Sequence, residues 1–323
     1  DTTGPAFTSS ATFSAAENQT AIDAVTATDL AGDNITFTVS GSELVITSAG
    51  VLTFASAPDY EIKSSYTATV TASDGTNSTT QDITVNVTNV NEAPSFTSPA
   101  TFSAAENQTA IGTVTATDVD GDSITYSISG SEININASTK VLTFASAPDY
   151  ETKSTYTATV TASDGTNSSS QIITVSITNL NDNPPQMTLP NSLSSAEENQ
   201  TAIGTITALD ADGDIVTFSV SGSELEIATI NTMFNNFGVL TFASAPDYET
   251  KSSYSAVVTA SDGTNTTSVG ITVNVIDVNE APTITPSATF SAAENQTAIG
   301  TVTATDVDGD TITYSILGSE INI

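Results

Sequence analysis

The sequence predicts an all-β chain built from tandem seven-stranded β-sandwiches. Three observations carry this. The motif Ala-Glu-Asn-Gln-Thr-Ala-Ile begins at Ala16, Ala105 and Ala293, with a Glu-Glu variant over residues 197–203. Its marker glutamates, Glu17, Glu106, Glu198 and Glu294, are spaced by 89, 92 and 96 residues, too long for a solenoid coil and right for one small sandwich per period. Within each period, short segments alternate apolar and hydroxyl residues with a period of two, and Gly-containing turns separate them. No window shows a sustained 3.6-residue apolar period, so no long helix is expected.

The second repeat shows the elements in order. Strands are predicted near 101–104, 110–117, 123–129, 132–136, 140–144, 154–162 and 168–179. Tyr156, Ala158, Val160 and Ala162 share one face, with Thr157, Thr159 and Thr161 on the other; Ile173, Val175 and Ile177 stand likewise against Thr174, Ser176 and Thr178. That is the pattern of half-buried antiparallel strands. Asp120-Gly121-Asp122, Ser129-Gly130-Ser131 and Asp164-Gly165-Thr166 mark turns.

The expected repeats are 1–93, 94–183, 184–281 and an incomplete fourth, 282–323. The fourth reads either as part of a longer array or as a half-sandwich completed by strand addition from a neighbouring chain. In the third, Gly222 to Leu240 spans 18 positions, against 12 for Gly130 to Leu142 and 11 for Gly41 to Leu52. The extra residues, among them Met233, Phe234, Asn235, Asn236 and Phe237, read either as an enlarged loop tucked under the rim or as a partner contact patch.

Composition excludes several functions. Against 37 Asp and Glu there are four basic residues, all Lys, giving a formal charge of -33. Nucleic acid and anionic membranes need a basic footprint that is absent. No apolar run is long enough for a membrane span, and none reads as a signal peptide. Without Cys there are no disulfide staples. Without His, Cys or Arg, the usual bases, thiol nucleophiles and anion clamps of an enzyme are missing.

The carboxylates sit at fixed places between strands. Besides the Glu before Asn-Gln-Thr, they form Asp-Tyr-Glu (Asp59/Glu61, Asp149/Glu151, Asp247/Glu249) and Asp-x-Asp-Gly-Asp (Asp118/Asp120/Asp122, Asp210/Asp212/Asp214, Asp306/Asp308/Asp310). Ala-Ser-Asp-Gly adds Asp74, Asp164 and Asp262, and Pro-closed linkers run over 89–94, 179–184 and 277–282. Two carboxylates about 4 Å apart repel by roughly 4 kcal/mol at an effective dielectric of 20, so shared cations explain the clustering. An all-oxygen set on Gly-rich turns suits Ca²⁺, which takes about 6–8 oxygens at roughly 2.3–2.6 Å. The loops are not EF-hands, because the 12-residue frame ending in Glu and the flanking helices are absent.

These motifs, in this order, resemble the cadherin repeat, especially bacterial cadherin-like domains, and the resemblance covers the whole chain. It implies a Greek-key sandwich joined end to end by calcium-binding linkers, with several ions at each junction. Carried over to the first junction, the ligand set is Glu17, Asp59, Glu61, Asn89, Asn91, Glu92, Asp118, Asp120 and Asp164. At the second it is Glu106, Asp149, Glu151, Asn179, Asn181, Asp182, Asp210, Asp212 and Asp262. At the third it is Glu198, Asp247, Glu249, Asp277, Asn279, Glu280, Asp306 and Asp308. Asn89 and Asn179 stand where the family usually has Asp, and Ala93 and Ala281 where it has Asn. Asp29-Leu30-Ala31-Gly32 lacks the second Asp, so the leading edge of repeat 1 is expected to bind calcium weakly or not at all. The absence of Trp excludes Trp-anchored strand exchange.

The expected function is a calcium-rigidified extracellular rod, a stalk or fibre segment of a microbial surface adhesin. Its partners would be further copies of the repeat in the same chain, with self-association or a cell-surface or glycan partner. The alternatives are a filament subunit completed by strand exchange and a carbohydrate-binding module with Tyr60, Tyr150 and Tyr248 as stacking platforms. Ice binding by the Thr faces is explained better by ordinary outward strand faces. Sequons at Asn18, Asn77, Asn167 and Asn265 allow for glycosylation.

Overall fold

The computed structural model describes residues 2–232, 236–285 and 289–323. It divides into two compact units, residues 1–178 and 179–323, each described by itself.

In the first unit, repeat 1 contains β1 (Ala6–Phe7), β2 (Thr12–Ala16), β3 (Ala21–Ala24), β4 (Ala27–Thr28), β5 (Thr36–Val39), β6 (Leu44–Ile46), β7 (Val51–Phe54), β8 (Ser65–Ser73) and β9 (Ser78–Thr88). One sheet has the order β2-β9-β8-β5, and the facing layer comprises β3-β7-β6 with the short pair β1-β4. The opening strand changes sheets between β1 and β2, and β2 then runs parallel to β9, the one parallel pair of the repeat among the described residues.

Repeat 2 follows the same plan with β10 (Ser95–Phe96), β11 (Thr101–Ala105), β12 (Ala110–Thr113), β13 (Ala116–Thr117), β14 (Thr125–Ile128), β15 (Ile133–Ile135), β16 (Val141–Phe144), β17 (Thr155–Ser163) and β18 (Ser168–Thr178). The seven predicted strands are present. The structure adds β10, two residues too short to show a period, and splits the predicted 110–117 strand where Val114 turns into the core. Ala158, Val160 and Ala162 of β17 and Ile173, Val175 and Ile177 of β18 are buried, as the alternation requires.

In the second unit, repeat 3 contains β19 (Gln186–Thr188), a 3-10 turn at Asn191–Ser194, β20 (Ser195–Glu197), β21 (Ala202–Leu209), β22 (Thr217–Val220), β23 (Leu225–Asn231), β24 (Asn236–Phe242), β25 (Ser253–Ser261) and β26 (Thr266–Ile276). The described inserted residues, Asn236 and Phe237 among them, do not lie in a loop under the rim. They lengthen the β23–β24 hairpin, in which Phe237 pairs with Ile230 and, across β24, with Thr207. Met233, Phe234 and Asn235 lie outside the described residues. After repeat 3, β27 (Thr283–Thr285) pairs with β28 (Thr303–Thr305).

Each sandwich closes around a compact apolar core, as with Leu52, Phe54, Val70, Ile83 and Val85 in repeat 1. Phe54, Phe144 and Phe242 each meet a tyrosine edge-on (Tyr66, Tyr156, Tyr254) with ring centroids 5.0–5.1 Å apart. Over each tyrosine lies a lysine, Lys63, Lys153 or Lys251, that also pairs with Glu43, Glu132 or Glu224. Three of the four lysines thus fasten the end of the Asp-Tyr-Glu segment to the sandwich wall.

Gly50 has φ of +90°, and a Cβ there would sit 2.2 Å from the Val25 carbonyl oxygen. That backbone pairing is required, because the Val25 amide donates to the Gly50 carbonyl at 2.8 Å. Gly50→Ala is therefore expected to cost repeat 1 about 3 kcal/mol, read as an earlier thermal transition of that repeat with repeats 2 and 3 unmoved.

Candidate metal centre

The junction is built around a buried carboxylate. Glu17, at the end of β2, is 3% exposed, and its oxygens accept the amides of Tyr60 (2.7 Å) and Val90 (2.8 Å). One side chain thereby ties the Asp-Tyr-Glu segment to the linker. Glu198 repeats this with Tyr248 and Val278, both at 2.8 Å, and the Glu106 carboxylate accepts the Tyr150 amide at 2.8 Å. Glu106 and Glu198 are 2% and 4% exposed. A buried anion held by amide donors has lost most of its hydration, and a cation beside it would restore the balance.

Around Glu17 the structure gathers Glu61 and Glu92, with one ligand-capable oxygen from each of the three within 4.8 Å of the others. The linker is clasped from repeat 2: Asp120 Oδ2 accepts the Glu92 amide at 2.8 Å, and Asp164 Oδ2 accepts Asn91 Nδ2 at 2.9 Å. Asp118 Oδ1 accepts the Asp120 amide at 3.1 Å and closes its own turn. Asp59 Oδ1 accepts the Ile62 amide at 2.9 Å, and the Asp59 charge bears on Glu61. Asn89 is exposed at the linker's start.

The second unit repeats the arrangement at the third junction. Glu198, Glu249 and Glu280 bring oxygens within 4.8 Å, and Asp308 Oδ2 accepts the Glu280 amide at 2.7 Å. Asp247 Oδ1 caps its turn through Thr250, Asp306 Oδ1 accepts the Asp310 amide, and Asn279 Nδ2 donates to the Glu280 carbonyl. Asp277 lies against Asp308, Glu198 and Asp310, whose charges act on it.

The residues expected at the second junction divide between the units. In the first, Glu106, Asp149 and Glu151 cluster within 4.8 Å. In the second, Asn179 Nδ2 donates to the Asp212 carbonyl, the Asp182 and Asn183 amides donate to Asp212 Oδ2, and Asn181 Oδ1 accepts Asn265 Nδ2. Asp210, Asp212 and Asp214 cluster there too, beside Asp262.

These residues fit calcium. The donor set is all oxygen, and several carboxylate oxygens are shielded from solvent with no hydrogen-bond donor. They are Glu92 Oε2, Asp118 Oδ2 and Asp120 Oδ1 at the first junction, Asp210 Oδ2 and Asp262 Oδ2 on repeat 3, and Glu280 Oε2 and Asp308 Oδ1 at the third. Shielded polar atoms are almost always partnered, and an anionic oxygen without a donor marks the place of an ion. At the leading edge of repeat 1, Asp29 keeps one such oxygen, but Ala31 stands where the second Asp would be.

The cadherin domain family model matches residues 100–178. The chain is 31% identical over 227 residues to human Protocadherin-15, covering 64% of this chain and 11% of that protein. It is 30% identical over 302 residues to mouse Cadherin EGF LAG seven-pass G-type receptor 2, covering 84% of this chain and 10% of that protein. This is a cadherin-like tandem-repeat protein. It spans about a tenth of the length of these curated relatives. Among solved structures it resembles protocadherin gamma B2 extracellular cadherin domains 3–6 (TM-score 0.59, 22% identity, covering 94% of this chain and 83% of that one). It also resembles mouse cadherin-23 EC22–24 (TM-score 0.55, 23% identity, covering 85% and 99%). These likenesses show the fold, the predicted tandem β-sandwich. The relatives are adhesion proteins rather than enzymes, in agreement with the expectation from composition.

Several working residues of the cadherin-like junction escaped the sequence reading. Asn18, Asn107 and Asn199 adopt φ near +60°, which Asn tolerates better than most residues. Asn18 and Asn199 also donate to the linker carboxylates of Glu92 and Glu280. Asn167 Nδ2 donates to the Asn91 carbonyl at 2.6 Å. The repetition of Glu-Asn and Asp-Gly-Thr-Asn carries the signal, and the same asparagines also fit sequons. At Asn18 and Asn167 the nitrogen a glycan would take is a donor in the first junction, and Asn77 Nδ2 donates to Thr3 O in repeat 1. Asp214, which closes the Asp-x-Asp-Gly-Asp motif, joins Asp210 and Asp212 in one cluster beyond the expected ligand set.

Protonation follows from this crowding. Partial desolvation, with the charges of Glu17 and Asp120, raises the pKa of Glu61 and Glu92 above the ordinary carboxylate value; Asn18 opposes this at Glu92. Desolvation likewise raises Asp277 and Glu249. At Glu280 the Asn199 hydrogen bond lowers the value, but desolvation and the charges of Glu198, Asp308 and Asp277 outweigh it. A carboxyl raised on folding contributes its stability below its unfolded pKa and loses it as pH climbs through the folded one. Asp164 runs the other way: the Asn91 hydrogen bond and turn amides depress it, so its contribution is lost as pH falls. The raised groups outnumber it at the first junction. Calcium-free protein is therefore expected to melt higher near about pH 5 than at neutrality. With calcium the order reverses, since protons and metal compete for the same oxygens. Melts at both pH values, with calcium and with chelator, check both signs.

Proposed function

We propose that the chain is a calcium-stiffened extracellular segment of a surface adhesin or structural stalk, and that the junction residues named above are its ligands. The observation that supports this most is the set of shielded, donorless oxygens on Glu92, Asp118 and Asp120 between repeats 1 and 2. Without metal, repulsion among these carboxylates loosens the linker. With metal, the linker, the Asp-Tyr-Glu segment and the following repeat share ions and move together. The microbial setting rests on the resemblance of the motifs to bacterial cadherin-like domains, and the extracellular setting on the relatives. The repeat boundaries 1–93, 94–183, 184–281 and 282–323 belong to this reading. No helix among the described residues is long and apolar enough to cross a membrane. Small-angle scattering tests the proposal: chelation should broaden the distribution of dimensions and calcium should restore it, whereas identical curves would refute stiffening.

The junctions are graded. Asp277 supplies a carboxylate where the other linkers carry Asn89 and Asn179. One added charge in such a cluster is worth about 1.4 kcal/mol, or tenfold in affinity. Asn89→Asp should tighten the first junction by about that factor, and Asp277→Asn should weaken the third equally, in calcium titrations of each variant.

A further inference from the structure

Repeat 3 differs from repeats 1 and 2 along one sheet edge. Its outermost strand, β23, runs seven residues, whereas β6 and β15 run three. In repeat 1 the chain leaves the edge strand after Ile46 and folds back so that the Ser48 carbonyl accepts the Phe37 amide at 3.3 Å. In repeat 3, β24 holds one side of β23, and no backbone partner holds the other among the described residues. Thr229 reaches strand β22 with its side chain alone, accepting the Phe218 amide at 2.9 Å, so its backbone stays available. The strand Leu225-Glu226-Ile227-Ala228-Thr229-Ile230-Asn231 has no Pro, no Lys and no bulge, and Ile230 is 49% exposed. Natural sheets guard such edges with those devices, and an edge that lacks them is a template for another strand.

We propose that β23 is a self-association edge, pairing antiparallel with β23 of a second copy of this chain about a two-fold axis through Ala228. The proposal is independent of calcium binding. The sequence fits its own antiparallel copy. The Glu224 carbonyl accepts the Ala243 amide, so by alternation Glu226, Ala228 and Ile230 bond β24. The backbone groups of Leu225, Ile227, Thr229 and Asn231 then face the open edge. Centred on Ala228, Leu225 meets Asn231 of the copy and Ile227 meets Thr229, which matches open groups with open groups and forms about eight hydrogen bonds. The inward-facing residues stay on one face and the outward-facing Glu226, Ala228 and Ile230 on the other, as a continuous sheet requires. Glu226 lies opposite Ile230. The two Glu226 side chains stand about 13 Å apart along the strand, beyond the screening length of about 8 Å at physiological salt. A foreign strand would need the same alternation, whereas a second copy already has it. The charge of -33 opposes any dimer at low ionic strength, so pairing should strengthen with salt.

Ala228 gives a clean test because it is exposed and the chain has no Cys. In the paired state the two Ala228 Cα atoms would lie about 4.5 Å apart, within disulfide range. Full-length Ala228→Cys should therefore cross-link to a dimer under mild oxidation at least tenfold faster than Val45→Cys, the exposed control on the short three-residue edge strand of repeat 1. In sedimentation at moderate salt the native chain should approach twice its mass. Ala228→Glu and Ala228→Lys should each be monomeric, and an equimolar mixture of the two should regain the dimer. Equal cross-linking of the two cysteine variants, or monomeric mass at every salt concentration, would overturn the proposal, including in favour of an unrelated strand as occupant.

Discussion

Chelating calcium is expected to lower the thermal unfolding midpoint of the chain by well over ten degrees. One ion present at a hundred times its dissociation constant adds about 2.7 kcal/mol to the state that binds it. In a repeat of roughly 100 residues, that moves the midpoint by about 10–20 °C. Chelation also leaves mutual repulsion around Glu17, Glu61 and Glu92, whose nearest oxygens lie within 4.8 Å. The loss should concentrate at the junctions. Hydrogen exchange should therefore show the amides of Tyr60, Val90 and Glu92 opening while those of β8, β9, β17 and β18 keep their protection. Uniform loss across the sandwiches would argue that calcium acts elsewhere.

The second large effect is expected from Glu17→Ala. It strands the amides of Tyr60 and Val90, each now bonded to this carboxylate. A shielded amide left without an acceptor costs about 1–3 kcal/mol, so the pair amounts to roughly 2–6 kcal/mol at most. This penalty is present with chelator, and the loss of a ligand adds to it when calcium is supplied. Glu17→Gln keeps an acceptor oxygen and should recover part of the metal-free stability but little of the calcium response. Thermal melts of both variants, with and without calcium, separate the hydrogen-bonding role from the ligand role. A Gln variant with a native calcium response would show that Glu17 is only a structural brace.

Much of this was legible in the sequence, for identifiable reasons. The alternation in residues 155–163 and 168–178 reports burial directly, because each side chain of a strand faces one layer or the other. The recurrence of Ala-Glu-Asn, Asp-Tyr-Glu and Asp-x-Asp-Gly placed the carboxylates between strands and at strand ends, and their likeness to the cadherin repeat assigned them to the junctions. Less legible was what depends on backbone geometry. β10 is two residues long and has no period to detect. The split between β12 and β13 reflects one inward turn at Val114, which composition does not mark. Asn18 and Asn199 are not marked by composition, because their value lies in a left-handed φ and a single contact to the linker. The repeat 3 insertion reads in the sequence as an enlarged loop or a contact patch, and its described part is Asn236 and Phe237. The register of β23 against β24 makes it sheet instead, since Ile227, Thr229 and Ile230 favour strand and Gly238 fits under Ile227 and Phe218, where a Cβ would clash.

The account rests on the junction carboxylates acting together on calcium, and a calorimetric calcium titration of the native chain beside Asp120→Asn tests that most directly. Asp120 clasps the linker through one oxygen and leaves the other shielded and donorless. The native chain should bind with dissociation constants of about 10⁻⁴–10⁻³ M or tighter. Asp120→Asn should lose the binding of the first junction and retain the rest. Superimposable isotherms for the two proteins, or no binding by the native chain in that range, would contradict it.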